Sequence, residues 1–219
     1  MYAPGLFWLV ALVLVAAGTP AAGAEAVHHV LDVRLDPQAQ RLDVRDTINL
    51  PPSVPDTVTM QLHAGLRPRV VAGDAELTRV GGAKAEGAVP VESYRVVLRA
   101  GARRFTLEYG GAIHHPVTDV GEEYARSFGV SPGLIAADGV FLGGSSYWHP
   151  HFAEAPMLTF AMTVHLPEVW RSVSQGKREG RAAEAGRAEE TWHESHPQEE
   201  VFLIAAPFTE YTRSGGKAD

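Results

Sequence analysis

The sequence predicts an all-β fold, an antiparallel β-sandwich, and three observations carry that expectation. Apolar residues recur with period two along most of the chain, as in strands that bury one face. Turn-forming clusters of Pro, Gly, Asn, Asp and Ser separate these runs at short intervals. Helical periodicity is scarce. The run 121–129 (GEEYARSFG) is the one stretch that could form two helical turns. The run 177–190 (KREGRAAEAGRAEE) holds helix formers but is interrupted by Gly180 and Gly186 and has no apolar stripe, so it reads as a solvated hairpin loop.

In chain order, the first element is not part of the fold. Leu6 to Ala17 (LFWLVALVLVAA) is an apolar run of export-signal length, too short to span a bilayer comfortably. Ala22-Gly23-Ala24 fits the A-x-A cleavage pattern, although no Lys or Arg precedes the apolar run. Residues 1–24 are therefore expected to be a removable signal peptide, and 25–219 a single β-sandwich domain. The expected location is periplasmic or extracellular, or membrane-anchored if the signal stays uncleaved.

Leu31, Val33 and Leu35 share one face, as do Leu42, Val44, Ile48 and Leu50. With the turn at 37–40 between them they predict a hairpin with one wet face. After the break at 51–55 (PPSVP), Val58, Met60 and Leu62 resume the alternation. Tyr94, Val96 and Leu98 continue it, then Phe105, Leu107 and Tyr109. The longest stripe is Leu158, Phe160, Met162, Val164 and Leu166. Residues 200–208 (EVFLIAAPF) are apolar on both faces, as a central strand would be.

Composition removes several classes of function. The formal net charge of −7 argues against nucleic acid as a partner. With no cysteine, a disulfide framework, a thiolate metal site and a Cys nucleophile are excluded. Neither a Walker A nor a G-x-G-x-x-G pattern occurs, and Ser145 and Ser146 lack the nucleophile-elbow context.

The ten histidines bear on metal chemistry. Within 190–197 (ETWHESHP), His193 and His196 stand three apart, whereas a zincin helix needs its two histidines four apart, and Pro197 disfavours helix at His196. The stretch reads as a polar strand end. His28-His29 and His114-His115 are neighbours whose side chains diverge on an extended chain. His149 and His151 share a parity, but Pro150 bends the backbone between them. No catalytic, cofactor-binding or metal-ligating residue is assigned. The segment 143–152 (GGSSYWHPHF) is the most unusual stretch, read as an aromatic plug for the sandwich end and, failing that, as a ligand contact.

Four stretches together resemble the N-terminal domain of the zinc aminopeptidases of the aminopeptidase N and leukotriene hydrolase family: 27–50 (VHHVLDVRLDPQAQRLDVRDTINL), 139–152 (GVFLGGSSYWHPHF), 163–180 (TVHLPEVWRSVSQGKREG) and 191–211 (TWHESHPQEEVFLIAAPFTEY). Their order and spacing agree over nearly all of Val27 to Tyr211. The resemblance implies a saddle-shaped β-sandwich that flanks and shapes the substrate cleft of a thermolysin-like catalytic domain. Zinc is implied for that catalytic domain alone, and no cofactor for this chain. The implied partner is the family's catalytic domain, in cis if the chain is a truncated product, with peptide as a further ligand. The family's N-terminal domain can lend a residue to the substrate's amino end, but the segment around Tyr147 departs from the family pattern and none is carried over. Two other classes stand beside this reading: a stand-alone periplasmic β-sandwich binding module, and a His-based metal-binding protein.

Export processing provides the first test. N-terminal sequencing of the exported protein should find a mature chain beginning at Glu25. A product that still carries Leu6 to Ala17 would establish a membrane anchor instead.

Overall fold

The computed structural model describes residues 26–211 apart from 83, 87, 88, 124 and 125. The expected signal peptide lies outside these residues. The chain forms β1 (Val27–Asp36), β2 (Arg41–Asn49), β3 (Thr57–His63), β4 (Arg69–Gly73), β5 (Ala75–Arg79), β6 (Lys84–Glu86), β7 (Val89–Leu98) and β8 (Arg104–Ala112). It continues through β9 (Thr118–Glu123), β10 (Arg126–Val130), β11 (Gly133–Ile135), β12 (Val140–Leu142), a 3₁₀ turn at Gly144–Ser146 and β13 (His151–Phe152). The last strands are β14 (Leu158–Pro167), β15 (Arg171–Val173), β16 (Lys177–Glu184), β17 (Arg187–Gln198) and β18 (Leu203–Ala206).

A seven-stranded sheet in the order β16-β17-β14-β1-β2-β8-β4 forms one layer. Opposite it lie a five-stranded sheet, β13-β3-β7-β5 with β6 also on β7, and a four-stranded sheet, β11-β12-β18-β15. The period-two stripes point inward as the sequence predicts. Leu31, Val33, Leu42, Val44, Ile48, Phe105, Leu107, Phe160 and Met162 face Met60, Leu62, Val96, Leu142 and Leu203 in one continuous core. Among the described residues the fold is an antiparallel sandwich with one exception, because β1 pairs in parallel with β14, from Val27 opposite Leu158 to Arg34 opposite His165. All five strands of the five-stranded sheet lie between these two in sequence, which gives the chain the crossover that a parallel pairing requires.

Two expectations are corrected. Within 121–129 the described residues, 121–123 and 126–129, are not helical, since they belong to the paired strands β9 and β10. Nine residues bounded by Gly121 and Gly129 are too few to offset the entropy of nucleating a helix. Residues 177–190 are a strand hairpin rather than a loop. Ala185 and Gly186 both have left-handed backbone (φ 52° and 79°), and this two-residue turn matches the twist of β16 and β17. No apolar stripe was needed because β16 is a largely solvated edge strand.

Among the described residues, three carboxylates sit at inward parity, Asp46, Glu190 and Glu194. Glu190 ties β17 to β15: its Oε2 accepts from Ser172 N–H (2.7 Å) and Ser172 Oγ (2.6 Å), and its Oε1 lies 3.2 Å from Arg181 Nε. Trp192 Nε1 donates to the same Ser172 hydroxyl (2.9 Å). A buried charge with this many partners fixes how the sheet edge meets the four-stranded sheet.

Phe160 is fully buried at the centre of the longest stripe. Phe160→Ala should destabilise the protein by about 3–5 kcal/mol, read as a lower denaturant midpoint at unchanged slope. An unaltered midpoint would mean that the inward face of β14 contributes far less than its burial implies.

Candidate functional site

The aromatic segment after β12 is built from the backbone outward. Ser146 Oγ donates to Gly143 O (2.6 Å), closing the 3₁₀ turn, and Tyr147 follows in the left-handed region (φ 51°). That conformation is uncommon for an aromatic residue. It directs the Tyr147 carbonyl to the His63 N–H (2.8 Å) at the end of β3. Trp148 is completely buried, and its Nε1 donates to Val201 O (2.9 Å). The Val201 N–H donates back to His149 Nε2 (3.2 Å). His149 therefore carries its proton on Nδ1, which donates to Pro150 O (3.2 Å). With both nitrogens engaged, this ring is a structural wall.

Beside it lies a cavity of about 260 Å³ lined by His29, Gln61, His151, Phe152, Met157 and Glu199, among others. His151 stacks on His149 at 4.4 Å, and Tyr147 lies 4.9 Å from His151. His29 stands edge-on to His149 at 6.0 Å. The His29 Nδ1–H donates to Asp46 Oδ2 (2.8 Å), while His29 Nε2 and His151 Nε2 are buried without a hydrogen-bond partner. Burial, then the neighbouring His151 and His29, pushes His149 well below the ordinary histidine value. Burial and then His29 bring His151 down to about 4. Burial and then the Asp46 carboxylate drive the Tyr109 hydroxyl well up.

A carboxylate-oriented imidazole is the arrangement of a general base. A base must reach the proton it removes, and His29 is 1 % exposed and Asp46 fully buried. In this conformation the pair is closed off from solvent. The donors do not fit zinc either. His193 and His196 lie on an extended strand, 3.7 Å from Glu179 and 3.0 Å from Glu194 respectively, and do not converge. Among the described residues, no group of three or more His, Asp or Glu side chains is placed to hold a metal ion.

The paired histidines part company as their spacing requires. His28 faces outward and bonds Thr159 Oγ1 (2.8 Å), while His29 turns into the core. His114 Nδ1–H donates to Ile135 O (3.1 Å). The neighbouring His115 meets His63 at 3.0 Å between Nε2 atoms. His63 Nδ1 accepts from Gly65 N–H (3.1 Å), so its Nε2–H donates to His115. Burial and then His115 lower His63 to about 4. Sequence reasoning missed Asp46, although a lone carboxylate at the inward parity of Leu42, Val44 and Ile48 was the available signal. The His63–His115 contact joins residues 52 apart and had no local signal.

No family model matches the sequence, and no curated protein is similar to it. Solved structures are similar in fold. An M1 zinc metallopeptidase variant from Deinococcus radiodurans superposes with a TM-score of 0.53 at 19 % identity, over 86 % of this chain and 44 % of that one. A variant of that enzyme bound to a Tyr-Ser-Ala substrate gives 0.51 at 18 % identity, over 84 % and 42 %. The unsubstituted enzyme gives 0.50 at 18 % identity, over 84 % and 43 %. The shared feature is the β-sandwich fold, and this chain spans less than half the length of those proteins.

The depressed histidines set an acid limit on stability. A histidine held neutral by the fold contributes stability that is complete above the unfolded value of about 6.5 and is lost as pH falls from there. The denaturation midpoint should therefore decline between pH 6.5 and about 4, the value to which His63 and His151 are lowered. His63→Gln with His151→Gln should flatten that decline. The same slope in the double variant would place its origin elsewhere.

Proposed function

We propose that this chain is the non-catalytic N-terminal β-sandwich of an aminopeptidase-N-like zinc metallopeptidase, exported from the cytoplasm, where it flanks and shapes the substrate cleft of a catalytic domain. The observation that carries the reading is the shared fold with M1 zinc metallopeptidases over 84–86 % of this chain and only 42–44 % of theirs. In this reading zinc, the general base and the hydrolytic step belong to the other domain, while this chain supplies a wall.

An exposed apolar row offers a surface for that partner. Leu134, Phe141, Ile204 and Val173 are successive cross-strand neighbours across the outer face of the four-stranded sheet. Phe141 is 38 % and Val173 47 % exposed, and the Phe202 ring lies 6.5 Å from Phe141. Aromatic and β-branched side chains aligned on the solvent side of a sheet mark a contact surface. A free-standing binding module is the second reading, favoured by the cavity beside the Tyr147–His151–His149 stack.

The purified chain should hydrolyse no aminoacyl arylamide above background. Mixed with a separately produced M1-type catalytic domain, it should form a complex detectable by native mass spectrometry. Phe141→Asp with Ile204→Asp should abolish that complex at a nearly unchanged denaturation midpoint. Arylamide turnover by the chain alone would overturn the reading, as would a complex indifferent to both substitutions.

A further inference from the structure

The outer face of the seven-stranded sheet carries a second concavity, of about 420 Å³, where β1, β2 and β8 meet the turn leading into β4. Its volume falls within the range of roughly 300–1,000 Å³ typical of small-molecule sites. Five guanidinium groups line it, from Arg34, Arg41, Arg45, Arg67 and Arg69, against the carboxylates of Asp43 and Glu108. This excess of positive charge stands out on a chain whose formal net charge is −7. Charge of one sign gathered in a cleft focuses the field on a ligand of the other.

The hydrogen bonds show which groups remain open. Asp43 gives both carboxylate oxygens to Arg41 (3.0 and 2.5 Å). Glu108 gives one oxygen to Arg45 (2.6 Å) and the other to Arg69 (2.5 Å). Arg34 reaches Asp32 through a single nitrogen (3.0 Å). Arg67 has neither a hydrogen bond nor an ion pair among the described residues. It is nevertheless held in place. Its backbone is left-handed (φ 46°), and the preceding residue, the fully buried Leu66, is fixed at both ends by Leu66 N–H to His63 O (3.0 Å) and Gly110 N–H to Leu66 O (2.7 Å). The concavity thus presents one unpaired guanidinium, Arg67, on a fixed backbone, beside four arginines that keep spare N–H groups after engaging Asp43, Glu108 and Asp32.

We infer that this concavity binds the phosphate group of a small phosphorylated molecule or of an anionic lipid headgroup. A phosphate matches planar guanidinium forks with several acceptor oxygens and the opposite charge. Arg67 is the anchor, because its donors meet the ligand without first leaving a carboxylate. The site shares no residue with the cavity at the aromatic segment. It stands independently of the cleft-shaping role.

Calorimetric titration of the whole chain with inorganic phosphate and with glycerol phosphate tests it at low salt, and sedimentation with phosphatidic acid vesicles, against phosphatidylcholine vesicles, separates the two sources. Saturable binding of one phosphate per chain is expected, weakened by added salt. Arg67→Ala should weaken it at least about tenfold, the loss expected for a charge-assisted hydrogen bond, and Arg67→Lys should restore part of it. Arg99→Ala, which breaks only the surface pair with Glu76, should bind as wild type. Arg34 and Arg67 are exposed, so their substitution should leave the thermal midpoint in place. Tighter association with phosphatidic acid vesicles than with glycerol phosphate assigns the lipid source, and binding of the free compounds alone assigns a soluble one. Absence of saturable binding in every arm would overturn the inference, as would undiminished binding by the folded Arg34→Ala, Arg67→Ala double variant.

Discussion

The backbone of Val201 must cross the core before β18 begins, with no strand beside it to accept its polar groups. An unpaired buried amide or carbonyl is destabilising by about 1–3 kcal/mol, so the segment requires side chains in place of a ladder. Trp148 and His149 supply them for Val201, and the Gln175 amide does the same for its neighbours, donating to Glu200 O (3.1 Å) and accepting from Phe202 N–H (2.8 Å). Gly176 makes this reach possible. Its φ is +79°, and a Cβ there would lie 2.3 Å from His193 O. The aromatic segment, the approach to β16 and the start of β18 are thereby fixed relative to one another, and the cavity wall inherits its shape from that arrangement.

Charge is distributed over the two faces of the seven-stranded sheet by different rules. Inside, Asp46 is partnered by His29, and Glu190 by Ser172 and Arg181. Outside, arginines outnumber the carboxylates that answer them around β1, β2 and β8. A buried charge left wholly unpaired would be strongly destabilising, whereas outer charges are hydrated and exchange partners at little cost.

The fold was legible because burial on a strand repeats every second residue, and that signal survives in a single sequence. Leu158 to Leu166 and Phe105 to Tyr109 faced inward where parity put them. The strand reading of 190–197 held for a local reason too, since Pro197 and the three-residue histidine spacing already spoke against helix. The β16–β17 hairpin escaped because a solvated edge strand carries no apolar period, and its turn is written only in the Ala185-Gly186 pair. The site was less legible. His29, Asp46 and His151 are brought together by three strands of two sheets, and the parallel register that seats β1 against β14 leaves no mark on either sequence.

That parallel register also sets an order of events for a newly made chain. The β1–β2 hairpin can form early, but the far edge of β1 stays open until β14 has been synthesised, with most of the molecule still to emerge between them. Closing so long a loop before any reward is collected slows folding. During that interval the open edge, with Val30 facing outward, is a template on which another nascent chain could add a strand. The strand order itself therefore leaves β1 half-paired until most of the chain has been made.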